Sequence, residues 1–390
     1  MLPTTLQITI CMGADHAHSE RYAEALLGCF RAEAGGYLDG GGDLHVPVRV
    51  FSAIPSNPAP RHLDEALHNV MVVLVSTKLN ENAAHVAWID AVGGIIKAAD
   101  PRHKMFVVDI DGTFPEFLNK APKTGWAQMI SVTDFGEDAI RPAKLGLAAL
   151  SLAIRAVSSG SVMIPDRLQF FISHAKLDSQ PLARVLSDLI DDLPQISGFY
   201  DAKDIPTGSN WQQVLQKGVR SSVLVVLRSE LYETRHWCIQ EAHWADEYAT
   251  PILIVDIRAG LFAAPSKLSL ENGPAVKVTD GNFYRILYAC SCVALNARMH
   301  MRAVQYFFDQ GALGAADTTV LVRRPSMLAL HRACIDLANT STGGEQFVIY
   351  PDPPMQDSEL SAARSFASSI SEDIRVETLQ SLVVEGYFDP

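Results

Sequence analysis

At 390 residues the chain exceeds what one ordinary core organises, so two or three domains are expected. A composition of 48% hydrophobic and 19% charged residues is globular and excludes a disordered or low-complexity chain. The formal net charge of −12 argues against broad phosphate-driven nucleic-acid binding. In chain order, the first block reads as strand Leu6–Cys11, helix Glu20–Glu33, and strands Val46–Phe51, Val70–Val75 and Met105–Asp109, the grammar of a parallel α/β domain over residues 1–157. The run SSGSVMIP, Ser158–Pro165, follows an Ala/Leu-rich helical stretch and marks a domain boundary.

A second block, over residues 166–308, has strand Leu168–Ser173, helix Pro181–Asp192, a short strand at Phe199–Tyr200 and a helix from Trp211. Strand Val223–Leu227, helix Trp237–Tyr248, strand Pro251–Asp256 and a long helix Tyr284–Phe308 complete it. A third block, over residues 315–390, pairs strands near Thr319–Val322, Phe347–Tyr350 and Ile374–Thr378 with helices Met327–Ala338 and Ser358–Ser369. It is small for an independent domain and is expected to pack on its neighbour.

Six cysteines lie scattered without CxxC spacing, so neither a zinc site nor a disulfide framework is expected and a reducing compartment is implied. The sequence shows neither a basic-then-apolar leader with a small-residue cleavage site nor an uncharged apolar run of about 18 residues, so a cytoplasmic protein without a membrane span is expected. His236 and His243 lack the spacing of a metal pair, and no HExxH, GxGxxG or P-loop pattern occurs. The glycines Gly40–Gly42, between Asp39 and Asp43, read as a connector that would repel an anion. Cys238 as a nucleophile would need an ordered partner that the sequence does not locate.

The stretch SSVLVVLRSELYETRHWCIQE, residues 221–241, carries the chemistry: a buried strand passes through a loop into a helix presenting Glu241. Trp237 lies four positions before Glu241 and Cys238 three positions before it, so the three side chains share a helix face. Without gaps, Leu74–Trp88 lies over Leu227–Glu241 as a faint internal repeat, with Trp88 where Glu241 stands. Aligning Trp88 with Trp237 instead puts Val92 there; in either register the first block lacks the carboxylate.

The segments FFISHAKLDSQ (Phe170–Gln180), FYDAKDIPTGSNW (Phe199–Trp211), SVLVVLRSELY (Ser222–Tyr232) and WCIQE (Trp237–Glu241) resemble, in order and spacing, the Toll/interleukin-1 receptor (TIR) domain, most closely its bacterial enzymes. The resemblance spans about residues 167–308 and implies a flavodoxin-like parallel sheet with a ligand crevice at the strands' carboxyl ends. It implies an NAD+ glycohydrolase that releases nicotinamide and ADP-ribose or a cyclic variant, with NAD+ as substrate and no cofactor. Glu241 matches the family's catalytic glutamate, and Ser173, His174, Ala175, Lys176, Asp204, Ile205, Ser229, Trp237 and Cys238 are the matching crevice positions. Read without the family, the Ser173–Lys176 end is a solvated loop with Asp178 or Ser179 capping the next helix, the Asp204 region is a turn-rich loop, and Glu241 is a surface glutamate. The Asp204 segment matches the family's mobile BB loop, so homo-oligomeric assembly is expected, with an activating partner and a role as a regulated antiphage effector. The first block reads as a degenerate TIR-like domain for sensing or assembly. A departure from the family is Arg235, where bacterial members usually carry serine; it makes the rim more cationic. A catalytically silent TIR scaffold and a nucleoside-cleaving or ribosyl-transferring enzyme are the other functions these residues allow.

Overall fold

The computed structural model describes residues 2–14, 16–30, 44, 46–54, 63, 65–98, 103–159, 168–191, 196–199, 211–258, 273–278, 283–340 and 343–388. They form two compact units, one built on Pro3–Tyr37 and Asp43–Val162, the other on Met163–Pro390 with Met1–Leu2.

The first unit runs β1 (Thr4–Cys11), α1 (Ala17–Phe30), β2 (Val48–Phe51), β3 (Ala66–Val75), α2 (Thr77–Glu81), α3 (Ala83–Ala98), β4 (His103–Asp109), α4 (Phe114–Lys120), β5 (Gln128–Ser131) and α5 (Arg141–Ser158). Its five strands are parallel in the order β2-β1-β3-β4-β5, a doubly wound sheet whose topological switch lies between β1 and β3. The central strand β3 is an apolar run because helices cover both its faces. On one face Ile89, Val92 and Ile96 of α3 pack with Met71, Val73 and Met105. Helix α1 starts three residues before the expected Glu20 because His16 Nδ1 accepts the Ser19 backbone N–H at 3.2 Å, the work of a cap residue. The expected last turn, through Glu33, lies outside the described residues, as do the glycines at 40–42.

The second unit opens with β6 (Leu168–His174), α6 (Gln180–Asp191), β7 (Ile196–Phe199), α7 (Trp211–Arg220), β8 (Val223–Arg228), α8 (His236–Glu247), β9 (Ile252–Asp256) and β10 (Ala275–Lys277). The sheet, ordered β7-β6-β8-β9-β10 and parallel throughout, repeats the winding of the first unit. The mixed α/β class and the flavodoxin-like winding expected for the middle block are therefore present. Two edge strands, β5 and β10, carry no clear alternation or apolar run and were not among the expected elements.

The C-terminal block follows as β11 (Thr318–Val320), α10 (Met327–Thr340), β12 (Gln346–Tyr350), α11 (Asp357–Ile370), β13 (Ile374–Thr378) and α12 (Leu379–Val384), its parallel strands ordered β11-β12-β13. Three strands cannot close a core alone, and helix α9 (Phe283–Asp309) supplies the missing layer. At 27 residues it is about 40 Å long, enough to serve two sheets. The helix packs against β8 and β9. Toward its C-terminus Val304 and Phe307 pack with Phe347, Ile349 and Leu382. The block thus belongs to the same compact unit as the middle block.

Candidate functional site

Every residue that matters here is placed by the switch between β6 and β8. The apolar run Phe170–Ile172 buries β6 in the sheet, and the strand ends at His174 where neighbouring strands diverge. The following loop is pinned by Asp178, whose carboxylate accepts the Ser229 hydroxyl at 2.8 Å and the Leu231 backbone N–H at 3.1 Å. Asp178 thus ties the β6 loop to the β8 loop. After β8, a single 3₁₀ turn at Tyr232–Thr234 drops Tyr232 into the core and redirects the chain into α8.

A cavity of about 420 Å³ opens at this point, within the range of small-molecule sites. Its inner wall holds Glu241 and Cys238 from α8 with His174 and Ala175 from the end of β6. Lys176 and Arg235 bring two cations to the lining. Arg235 sits at the N-cap of α8 but makes no side-chain cap bond. Trp211 and Trp237 meet edge to face, ring centroids 4.1 Å apart, and each stays about 40% exposed. Such half-exposed indoles offer apolar faces beside the charged Lys176 and Arg235.

Glu241 is only 7% exposed, unusual for a glutamate, and its surroundings explain how it is held. Ser173 donates its hydroxyl to Glu241 Oε2 at 2.5 Å, and the same hydroxyl lies 2.7 Å from the Tyr232 hydroxyl. The Tyr232 hydroxyl also reaches the Cys238 carbonyl at 3.3 Å. Burial, and then the neighbouring Glu241 carboxylate, pushes the Cys238 thiol up to about 12. Tyr232 is raised for the same two reasons in the same order. Cys238 is therefore a thiol and no nucleophile at neutral pH.

The helix-face reasoning brings Trp237, Cys238 and Glu241 to one cavity, together with His174, Ala175 and Lys176. Ser173 is buried behind that wall on Glu241, and Ser229 is bound to Asp178; neither is among the cavity-lining residues. Asp204 and Ile205 lie outside the described residues. Sequence reasoning missed Trp211 and Tyr232 as site residues, and the structure places Arg235, expected at the rim, in the lining. Tyr232 carried a signal, an aromatic in the short polar link between strand and helix, where only burial against the site gives it a role.

The first unit offers the comparison from within the chain. The interval from strand end to helix start is the same for Val75 and Ala83 as for Arg228 and His236, so the ungapped register holds and Trp88 takes the place of Glu241. Trp88 is 7% exposed and lies edge to face on Phe51 at 5.7 Å and tilted on His85 at 5.9 Å. Aromatic packing holds the position where the second unit keeps a carboxylate beside a cavity.

Among the described residues no group of three or more His, Cys, Asp or Glu side chains is placed to hold a metal ion, and no helix is long and apolar enough to cross a membrane. Residues 170–275 match the family model described as TIR domain. A search of curated proteins finds no match to the chain.

Proposed function

We propose, from the TIR domain at residues 170–275, that this chain is an NAD+ glycohydrolase with Glu241 as its catalytic group. One observation carries the reading: a buried carboxylate, hydrogen-bonded by Ser173, stands in the wall of a 420 Å³ cavity at the switch point of the sheet. Such a group is suited to a ligand that becomes positive as it reacts. Breaking the nicotinamide–ribose bond leaves an oxocarbenium-like ribose, and a carboxylate on its hydroxyls binds that state more tightly than the ground state. The cationic nicotinamide departs neutral and requires no proton. Water then adds to the ribose carbon and loses a proton, giving ADP-ribose, or an internal nucleophile closes a cyclic product.

The remaining lining fits the rest of the substrate. Lys176 and Arg235 suit the pyrophosphate, and the Trp211–Trp237 pair provides a surface for a planar ring. In this reading the domain works in an oligomer and is held inactive until a partner or ligand triggers it, since uncontrolled NAD+ loss would kill the cell that makes it; the role as an antiphage effector rests on the resemblance to bacterial TIR enzymes. The first unit, with Trp88 in place of the glutamate, serves sensing or assembly.

The test is nicotinamide release from NAD+ by the purified full chain under assembling conditions, comparing wild type with Glu241→Ala. A loss of at least 100-fold is expected, the scale on which removing a preorganised charge-stabilising group acts. Release that persists in the variant overturns the role of Glu241, and no release in any assembled state makes the domain a scaffold.

A further inference from the structure

The buried hydroxyls behind Glu241 have an order dictated by counting hydrogens. An ionised carboxylate only accepts, so across the 2.5 Å contact Ser173 must be the donor. A serine has one hydroxyl hydrogen, now used. Across the 2.7 Å contact between Ser173 and Tyr232, Tyr232 must therefore donate. With Glu241 protonated, every arrow can reverse: Glu241 donates to Ser173, Ser173 to Tyr232, and Tyr232 to the Cys238 carbonyl at 3.3 Å. No bond other than the one to the incoming proton is made or broken; the two hydroxyls rotate. The file starts and ends on α8, the helix that carries Glu241, and Tyr232 is fully buried and Ser173 nearly so.

We infer that Ser173 and Tyr232 are positioning residues for Glu241, a single file of hydroxyls that fixes its carboxylate in direction and favours its ionised form. The inference rests on Glu241 being the working group of the proposed reaction. Ser173 and Tyr232 do not line the cavity, so they act through Glu241 rather than on a ligand. Other titratable and charged groups lie around the carboxylate and its file. His174 and Lys176, from the end of β6, and Arg235, before α8, line the same cavity; Asp178 and Arg235 act on Cys238, and Glu233, paired with Arg228, acts on Tyr232. Helix α7 contributes only the uncharged Trp211 and Leu215. None of these is removed by altering the hydroxyl file, which makes its effect separable.

Two variants read it out, Ser173→Ala and the nearly isosteric Tyr232→Phe, with Ser173→Thr as the conservative control. The Glu241 carboxyl is titrated directly by infrared difference spectroscopy on the full chain, its band assigned by its loss in Glu241→Gln, and kcat and KM for nicotinamide release are followed against pH. The bond Ser173 gives the ionised carboxylate is stronger than the one the protonated acid gives back, and the difference sets the expected upward shift of the Glu241 midpoint in Ser173→Ala at about 0.5–1 pH unit. Tyr232→Phe removes the donor to Ser173 from the ionised form, and from the protonated form both the acceptor for Ser173 and the donor to the Cys238 carbonyl, so the midpoint moves less than in Ser173→Ala. Ser173→Thr restores the wild-type midpoint. The acid limb of kcat moves with the carboxyl band while KM stays within about twofold. A carboxyl midpoint unmoved or lowered in folded Ser173→Ala, or a Ser173→Thr midpoint that stays with Ser173→Ala, overturns the inference. The two readings fail separately. Shifted bands without nicotinamide release from any wild-type sample keep the file and sink the glycohydrolase, whereas Glu241-dependent release with unmoved bands does the reverse.

Discussion

Asp246→Ala tests how the C-terminal block holds the helix that presents Glu241. Arg323, just beyond β11, donates to Asp246 Oδ1 at 2.6 Å and also reaches the Ala245 carbonyl at 3.4 Å, in the last turn of α8. The two side chains are 16% and 8% exposed, so this is a largely desolvated pair rather than a surface one. Removing one member of such a pair costs about 3–5 kcal/mol because the other charge stays buried. Two features reduce that figure here. Arg323 keeps the Ala245 carbonyl, and Asp246 sits at the negative end of the helix dipole, where its own charge is unfavourable by about 0.3–1 kcal/mol. The net expected loss is about 2–3 kcal/mol for Asp246→Ala, and less than about 1 kcal/mol for Asp246→Leu with Arg323→Met, which removes both charges together. Urea unfolding followed by tryptophan fluorescence measures it, since Trp244 is buried two residues away on the same helix. A double-mutant coupling below about 0.5 kcal/mol would refute the idea that this pair clamps α8.

Two further outcomes follow from buried titratable groups. Burial pushes His300 down to about 4, against the opposing pull of the backbone of Ile349 and Leu321. The unfolded chain takes up its proton near 6.5, so stability present at neutral pH is lost as pH falls from there toward about 4, and His85, lowered by burial, acts in the same sense. Melting curves at pH 7 and pH 4.5 should differ less for His300→Gln than for wild type, by up to about 2 kcal/mol; equal differences would refute the assignment. Cys238, pushed up to about 12, should resist iodoacetamide in the native chain at pH 8, where only about one thiol in ten thousand is ionised, and react on unfolding. Rapid native labelling of its peptide, read by mass spectrometry, would contradict the burial that raises it.

Much of the fold was legible because its cues are local. Strand β13 spans the expected residues, and β8, α8 and β9 each lie within about two residues of expectation, since unbroken apolar runs and helical spacing report burial on two faces or one. The edge strands β5 and β10 were not legible, being short and half exposed; pairing with a neighbour alone makes them strands. His16 as a helix cap was equally hidden, because the preference for Ser, Thr, Asp and Asn says nothing of a histidine ring turned onto its own helix.

The candidate site divides along the same line. Residue spacing on one helix determined that Trp237, Cys238 and Glu241 would share a face, and either register determined that the first unit lacks the acid; the equal strand-to-helix intervals of the two units put Trp88 in its place. Only the tertiary structure decided what surrounds the acid. Ser173 and Tyr232 are 59 residues apart in the chain, and Ser173 and Glu241 are 68 apart; they meet because parallel winding sets β6 beside β8. A hydrogen-bonded file between such distant residues leaves no periodicity to read. The clamp from Arg323 to Asp246, 77 residues apart, is decided in the same way, by one long helix that gives the C-terminal strands and the α8 sheet a common layer.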